Sequence, residues 1–248
     1  MLSINARDIH KTYRSGFMGR KKNHALKGVE LSVNKGEIFG LLGTNGAGKT
    51  TLLNIFSGQL AADSGFVEVL GHDISKKMPV SLKEELNMCS GIPNFPWSLT
   101  VEENLKFYSL LYGICDKDCG DIIQNCIKMF SLEKYRSVRY DQLSSGNKQK
   151  LALAKSMINN PKLLFLDEPT IGLDPDIAKK IRELIRKIHG ERDITIILTT
   201  HYMKEAEELC GRIAFIKDGI IKAVGTRSEI VALTEGHNLE EAFIELAE

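Results

Sequence analysis

Three short runs of the chain are apolar without alternation: Ile38-Phe39-Gly40-Leu41-Leu42, Leu163-Leu164-Phe165-Leu166 and Ile194-Thr195-Ile196-Ile197-Leu198. A strand with one wet face alternates, whereas a strand covered on both faces reads as a continuous apolar stretch. These runs are therefore predicted as central strands. Elsewhere the period lengthens. Between residues 175 and 189, Ile177, Ile181, Leu184, Ile185 and Ile188 fall on one helical stripe. Asp174 stands where an N-cap belongs, Pro175 in the first turn, and Gly190 is the expected stop. Buried strands alternating with amphipathic helices predict an α/β fold with a mostly parallel sheet.

Two regions break the alternation. Val29-Glu30-Leu31-Ser32-Val33 and Phe66-Val67-Glu68-Val69 have period two, which predicts half-solvated antiparallel strands framing the Ile38 run. Residues 88–160 carry few strand signals and read mostly as helices, the first over 100–112. The expected division is a core of residues 1–87 and 161–226, an inserted helical subdomain at 88–160, and a helical tail at 227–248. A hairpin is expected around Asp218-Gly219, between apolar segments at 213–216 and 220–224. No internal repeat appears, so one catalytic module is present.

The chemistry enters at Gly43-Thr44-Asn45-Gly46-Ala47-Gly48-Lys49-Thr50, which follows the first buried run and precedes an apolar-periodic helix over 50–56. The pattern G-x-x-x-x-G-K-[ST] in that setting binds phosphate. Glycines let successive N–H groups point at one anion, and the helix N-terminus adds its dipole. Lys49 can reach the β- and γ-phosphates, and the Thr50 hydroxyl can ligate Mg²⁺. Leu163-Leu164-Phe165-Leu166 ends in Asp167-Glu168. Alone, such a pair is an ordinary loop start. Beside a phosphate loop, Asp167 is a candidate Mg²⁺ ligand, directly or through water, and Glu168 on the opposite side of the strand end a candidate general base.

With these elements in order, the chain resembles the ATP-binding subunit of an ABC transporter over nearly its whole length, with an exporter-like flavour. Leu143-Ser144-Ser145-Gly146-Asn147 is similar to that family's signature, Pro169-Thr170-Ile171-Gly172-Leu173-Asp174 to its D-loop, His201 to its switch histidine, and Tyr13 to the aromatic that stacks on adenine. The resemblance implies a P-loop NTPase core with an N-terminal antiparallel β subdomain and an inserted α-helical subdomain. It implies ATP bound by Tyr13, residues 43–50 and Thr51, with Mg²⁺ on Thr50 and Asp167. It implies catalysis by Glu168, His201 and Lys49. Two subunits, a homodimer or heterodimer, would pair head to tail, so that Ser144, Ser145, Gly146 and Asn147 act in trans and Asp174 communicates across the interface. The partners implied are transmembrane permease subunits, with export the expected direction. The tail Asn238-Leu239-Glu240-Glu241-Ala242-Phe243 is loosely similar to exporter-type tails.

Two departures stand out. Ser145 replaces a usual glycine, and Asn147 a glutamine or methionine. The glutamine expected near Ser90 or Gly91, which in the family helps ligate Mg²⁺, is absent from Asn87-Met88-Cys89-Ser90-Gly91-Ile92-Pro93-Asn94-Phe95-Pro96-Trp97. Either Mg²⁺ keeps an extra water or Ser90 substitutes. The same loop concentrates large apolar groups, which in a loop mark a contact surface. Phe95, Pro96 and Trp97 are expected to meet the permease, the other reading being that Phe95 and Trp97 pack beneath the helical subdomain.

Composition changes the picture only by exclusion. Lys+Arg 33 against Asp+Glu 32 leaves a net charge of +1, without the basic excess that nucleic-acid binding normally needs. No apolar stretch approaches the roughly 20 residues of a bilayer span, and the N-terminus has no apolar signal region. A peripheral protein at the cytoplasmic face of a membrane is expected. The five cysteines suggest no disulfide framework. Cys115, Cys119 and Cys126 lack metal-site spacing and read as buried thiols. Arg14, Arg20, Lys21 and Lys22 read as a solvated basic loop. The rival is a non-transport ATPase of the same superfamily serving DNA, ribosomes or a soluble assembly partner. The stretch between phosphate loop and signature is too short for coiled-coil arms, and a second module is missing. Cargo is not encoded here.

Overall fold

The computed structural model describes residues 1–15, 21–114 and 116–247; Arg20 and Cys115, singled out above, lie outside them. Among the described residues, ten strands form two sheets. The first sheet is antiparallel, with β1 (Leu2–Ser15), β2 (Lys21–Asn34), β4 (Ser64–Val69) and β5 (His72–Asp73) in the order β2-β1-β4-β5. The second holds β3 (Ile38–Leu42), β6 (Leu86–Ser90), β7 (Leu163–Asp167), β8 (Thr195–Thr200), β9 (Arg212–Lys217) and β10 (Ile220–Gly225). Its order is β10-β9-β3-β8-β7-β6, all neighbours parallel except the β9–β10 hairpin. The expected α/β core and the Asp218-Gly219 turn are present. The expectation that antiparallel strands frame the Ile38 run is corrected, because β3 pairs with β8 and β9 in the other sheet.

Why the central strands lack polar positions is plain from their two faces. Phe39, Leu41, Leu163, Phe165 and Ile197 point into a core shared with the antiparallel sheet, where they meet Ile4, Val29, Val67, Leu52 and Phe56. Ile38, Leu164, Leu166, Ile196 and Leu198 point the other way, into a core formed with the helices. Burial at about 25 cal/mol per Å² on both faces leaves no room for uncompensated polar groups. The exceptions are paired: Thr195 Oγ1 lies 2.8 Å from Ser3 Oγ, joining the two sheets, and accepts the Gly36 N–H at 2.9 Å.

Parallel neighbours β6 and β7 require a long crossover. It carries α3 (Val101–Leu111), α4 (Asp116–Met129) and α5 (Ser145–Ser156). It leaves the sheet at the carboxyl end of β6, where the Gly91 N–H donates to Asp167 O at 2.6 Å. It returns at the amino end of β7, where Asn159 Nδ2 donates to Glu84 O and Leu86 O at 2.8 and 2.9 Å. The boundary expected at 87/88 falls inside β6, so Met88, Cys89 and Ser90 belong to the sheet. α3 starts at a capping box, Thr100 Oγ1 accepting Glu103 N–H and Glu103 accepting Thr100 N–H.

Other expectations shift by a residue or two. α1 spans Lys49–Phe56, and α6 spans Pro175–Glu191, running past Gly190. Asp174 holds the N-cap position of α6 by backbone, but its carboxylate makes no capping bond. α2 (Val80–Glu84) precedes β6, and α7 (Met203–Leu209) follows β8. The tail forms two separate helices, α8 (Arg227–Val231) and α9 (Leu239–Ala247), with Leu239 and Ala242 buried against Phe215. Cys89, Cys119 and Cys126 are buried free thiols, and burial pushes Cys89 up to about 12 and Cys126 to about 11. Cys89 and Cys126 therefore stay protonated and unreactive at neutral pH. Among the described residues no helix is long and apolar enough to cross a membrane.

The apolar loop after β6 divides. Phe95 is buried, with its ring 5.3 Å from those of Tyr108 and Tyr140, so its expected place in a partner contact is corrected. Pro96 is half-buried, whereas Ile92 and Trp97 are 77% and 67% exposed. Phe95→Ala should cost about 3–5 kcal/mol of unfolding free energy in urea titration. Trp97→Ala, losing chiefly its cation–π contact with Arg139, should cost no more than about 1 kcal/mol.

Candidate functional site

Four loops meet at the carboxyl ends of β3, β6, β7 and β8. After β3 the chain curls through residues 43–48 into α1. Gly43 sits so close to β9 that a Cβ there would lie 2.3 Å from Ile216 O. Lys49 is 5% exposed. Its Nζ donates to Gly43 O at 2.8 Å and Thr44 O at 3.2 Å, and stands 3.4 Å from Glu168 Oε1. An ammonium so enclosed is oriented by its own loop, pre-set toward whatever anion the loop holds.

Asp167 closes β7. Thr50 Oγ1 donates to its Oδ2 and Oδ1 at 3.1 and 3.2 Å, and Thr199 Oγ1 donates to Oδ1 at 2.5 Å. Thr50 and Asp167 border a cavity of about 490 Å³ that also includes Ser90, Asn54, Gln59 and Lys155. Ser90 is the register partner of Asp167, and its Oγ accepts the Ile92 N–H at 3.3 Å. A hydroxyl and a carboxylate converging on an open cavity form an oxygen donor set that suits a hard divalent cation.

Glu168 does not continue the alternation of β7. Its φ is +52°, a left-handed conformation rare outside glycine, and its amide donates to both Oγ1 and O of Thr199 at 3.1 Å. The turn brings its carboxylate back toward Lys49 and toward His201, whose Nδ1 lies 3.1 Å from Oε2. That approach is near enough for an ion pair with a protonated ring but is not aligned as a hydrogen bond, so Nδ1 stays buried without a hydrogen-bond partner. The His201 ring centroid lies 4.1 Å from that of Tyr202, with the planes tilted by 38°. Tyr13, 40% exposed on β1, places its hydroxyl 3.4 Å from Thr51 Oγ1.

The signature residues lie apart from this group. Ser144 caps α5, accepting the Asn147 N–H at 3.4 Å, with Ser144 and Ser145 exposed and Gly146 buried against Ile177. Asp174 is exposed at the start of α6. Sequence reading missed Thr199 and Glu205. Thr199 fixes Asp167 and Glu168 together, and its signal was a threonine pair ending a buried strand. Glu205, in the first turn of α7, is 1% exposed, and burial raises its carboxyl above the usual range.

A strand–loop–helix phosphate cradle beside a strand that ends in carboxylates is the layout of a P-loop nucleoside triphosphatase. The ABC transporter family matches residues 26–171, more than half of the chain, and the chain belongs to that family. It is 37% identical over 216 residues to Nod factor export ATP-binding protein I of Paraburkholderia xenovorans, covering 87% of this chain and 70% of that protein. Linearmycin resistance ATP-binding protein LnrL of Bacillus subtilis is 33% identical over 236 residues, covering 95% of this chain and 73% of the relative. ATP-binding cassette sub-family A member 17 of Rattus norvegicus is 37% identical over 225 residues, but the chain spans only 12% of its length. Among solved structures, a dimeric ATP-binding cassette in a post-hydrolysis state bound to ADP and Pi has a TM-score of 0.78 at 26% identity, covering 90% of this chain and 98% of the other. The protein is an ATPase of an ABC transporter; such cassettes dimerise and work with membrane subunits.

Proposed function

We propose that this chain drives export through a membrane permease by closing on ATP as a head-to-tail dimer and hydrolysing it at the site around Glu168. The observation that carries the reading is the convergence of Lys49, Thr50, Asp167, Glu168 and His201 at one sheet end. Glu168 takes a proton from water as the water oxygen attacks the γ-phosphorus; the bond to the bridging oxygen breaks and its electron pair leaves with ADP. Lys49 and the amides of residues 43–50 hold the phosphate oxygens, and His201 orients the γ-phosphate and the water. Tyr13 and Thr51 border the adenine and phosphate ends. Thr50 and Asp167 would hold Mg²⁺, with Ser90 opposite Asp167 as a further oxygen. A cation held there would supply positive charge to offset the negative charge that develops on the phosphate oxygens.

Ser144, Ser145, Gly146 and Asn147 act in trans, their exposed helix start completing the anion cage of the other subunit, with Asp174 at the interface. ATP favours the closed pair because only that state supplies both halves of the cage. We read the permease contact at Trp97, Ile92 and the edge of Pro96, without Phe95, which would put the protein peripherally on the cytoplasmic face of the membrane. Relatives named for Nod factor export and for linearmycin resistance support this over a soluble assembly partner.

The in-trans arrangement is tested by placing Ser144→Cys in one copy and Asn45→Cys in another. An ATP-dependent disulfide between the two copies is expected under mild oxidation. A mixture that stays monomeric with ATP present overturns the sandwich.

A further inference from the structure

Glu205 is a buried acid that the chemistry above does not use. It belongs to no ion pair among the described residues: Arg182, which faces it from α6, has its Nε on Glu208 at 2.7 Å. The Thr170 hydroxyl donates to Oε1 at 2.8 Å. The Thr200 hydroxyl lies near, but Oε2 has no aligned hydrogen-bond partner. If packing were its only task, a leucine would fill the place at lower cost, since a buried polar oxygen left unpaired is expensive.

Its location supplies a task. Thr170 is 4% exposed and stands two residues after Glu168. Glu205 lies in the first turn of the helix that directly follows His201 and Tyr202. Glu168 occupies a left-handed backbone conformation, which persists only where surroundings fix it from more than one side. Thr199 fixes it from β8 through two bonds to the Glu168 amide. Beyond Glu168, the turn closes with the Ile171 N–H donating to Glu168 O at 3.1 Å, and the one side-chain bond of Thr170 goes to Glu205.

We propose that Glu205 is a positioning residue which, through the Thr170 hydroxyl, locks the Glu168 turn to the His201 turn so that base and histidine keep a fixed mutual geometry. The inference rests on the assignment of Glu168 as base. Burial holds the Glu205 proton above the usual carboxylate range, opposed by Thr200, Thr170 and Arg182 and reinforced by the charge of Glu168.

The test is steady-state ATP hydrolysis by the full chain with Mg²⁺, with melting temperatures recorded alongside. Thr170→Val removes one hydroxyl at constant shape. It should lower kcat on the order of ten- to a hundredfold, as small misplacements of catalytic groups do, with KM for ATP within about twofold of wild type. Glu205→Ala should behave alike, and Glu205→Gln, which keeps an acceptor for Thr170, should recover most of that loss. The Thr170→Val/Glu205→Ala double variant should be no slower than Glu205→Ala, since both remove one link. Wild-type kcat in Thr170→Val, or losses that multiply in the double variant, overturns the proposal. If Glu205→Ala fails to fold, Thr170→Val and Glu205→Gln still decide. Glu168→Gln run in parallel separates the two readings: an active Glu168→Gln removes the base assignment, while an inactive Glu168→Gln with an unimpaired Thr170→Val removes the brace alone.

Discussion

Glu168→Gln should lower ATP turnover on the order of 10²- to 10⁴-fold, the range general bases contribute, while ATP binding persists. The substitution keeps the size of the side chain and its reach toward Lys49 and His201. What disappears is the ability to accept a proton from water. A second effect follows from the lost charge: the γ-phosphate no longer faces a carboxylate, so the closed dimer should accumulate with ATP and Mg²⁺. Phosphate release measures the first effect and gel filtration the second. Turnover within about tenfold of wild type would show that another group takes the proton.

Gly43→Ala should cripple nucleotide binding although it adds a single methyl group. That methyl would meet Ile216 O at 2.3 Å, Ile216 Cγ2 at 3.0 Å and the Ala47 Cβ at 3.1 Å. Ile216 O is main chain of a strand inside the sheet and cannot swing aside as a flexible side chain would, so the loop must lift. Overpacking of this kind costs about 1–3 kcal/mol of stability. Misaligning two amide–phosphate bonds costs about 3 kcal/mol more in binding, a Kd increase on the order of a hundredfold. Calorimetric titration with ATP reads it directly. A Kd within about threefold of wild type would mean that the approach to β9 does not shape the loop.

How much of this was legible depended on where the determining contact lies. The phosphate loop and the end of β7 are contiguous in sequence, and their strands are covered on both faces, so pattern and chemistry coincide at Gly43–Thr50 and at Asp167-Glu168. β1 escaped notice because its alternation of Ile4 and Ala6 breaks at Asp8, which has φ +51° in an irregular stretch of the ladder. β6 reads Leu-Asn-Met-Cys-Ser, and its Asn87 is accommodated by Asn159 and Tyr112, partners far along the chain. Phe95 was placed on the surface because it sits in a loop, yet Tyr108 and Tyr140 from either side of α4 decide its burial. Thr199 and Glu205 act through residues about thirty positions earlier, and no local pattern encodes such a pairing.

The crossover between β6 and β7 has a mechanical corollary. Its two attachments lie at opposite ends of the sheet, the Asn159 amide at one and the Gly91 peptide at the other. A push on Ile92 arrives one residue from the Gly91 attachment, at the carboxyl end of β6. That attachment is main chain against main chain: a Cβ on Gly91 would lie only 2.2 Å from Glu168 O, so the two backbones touch. A displacement of the Gly91 peptide would therefore bear directly on the peptide that carries Glu168, with no side chain between them.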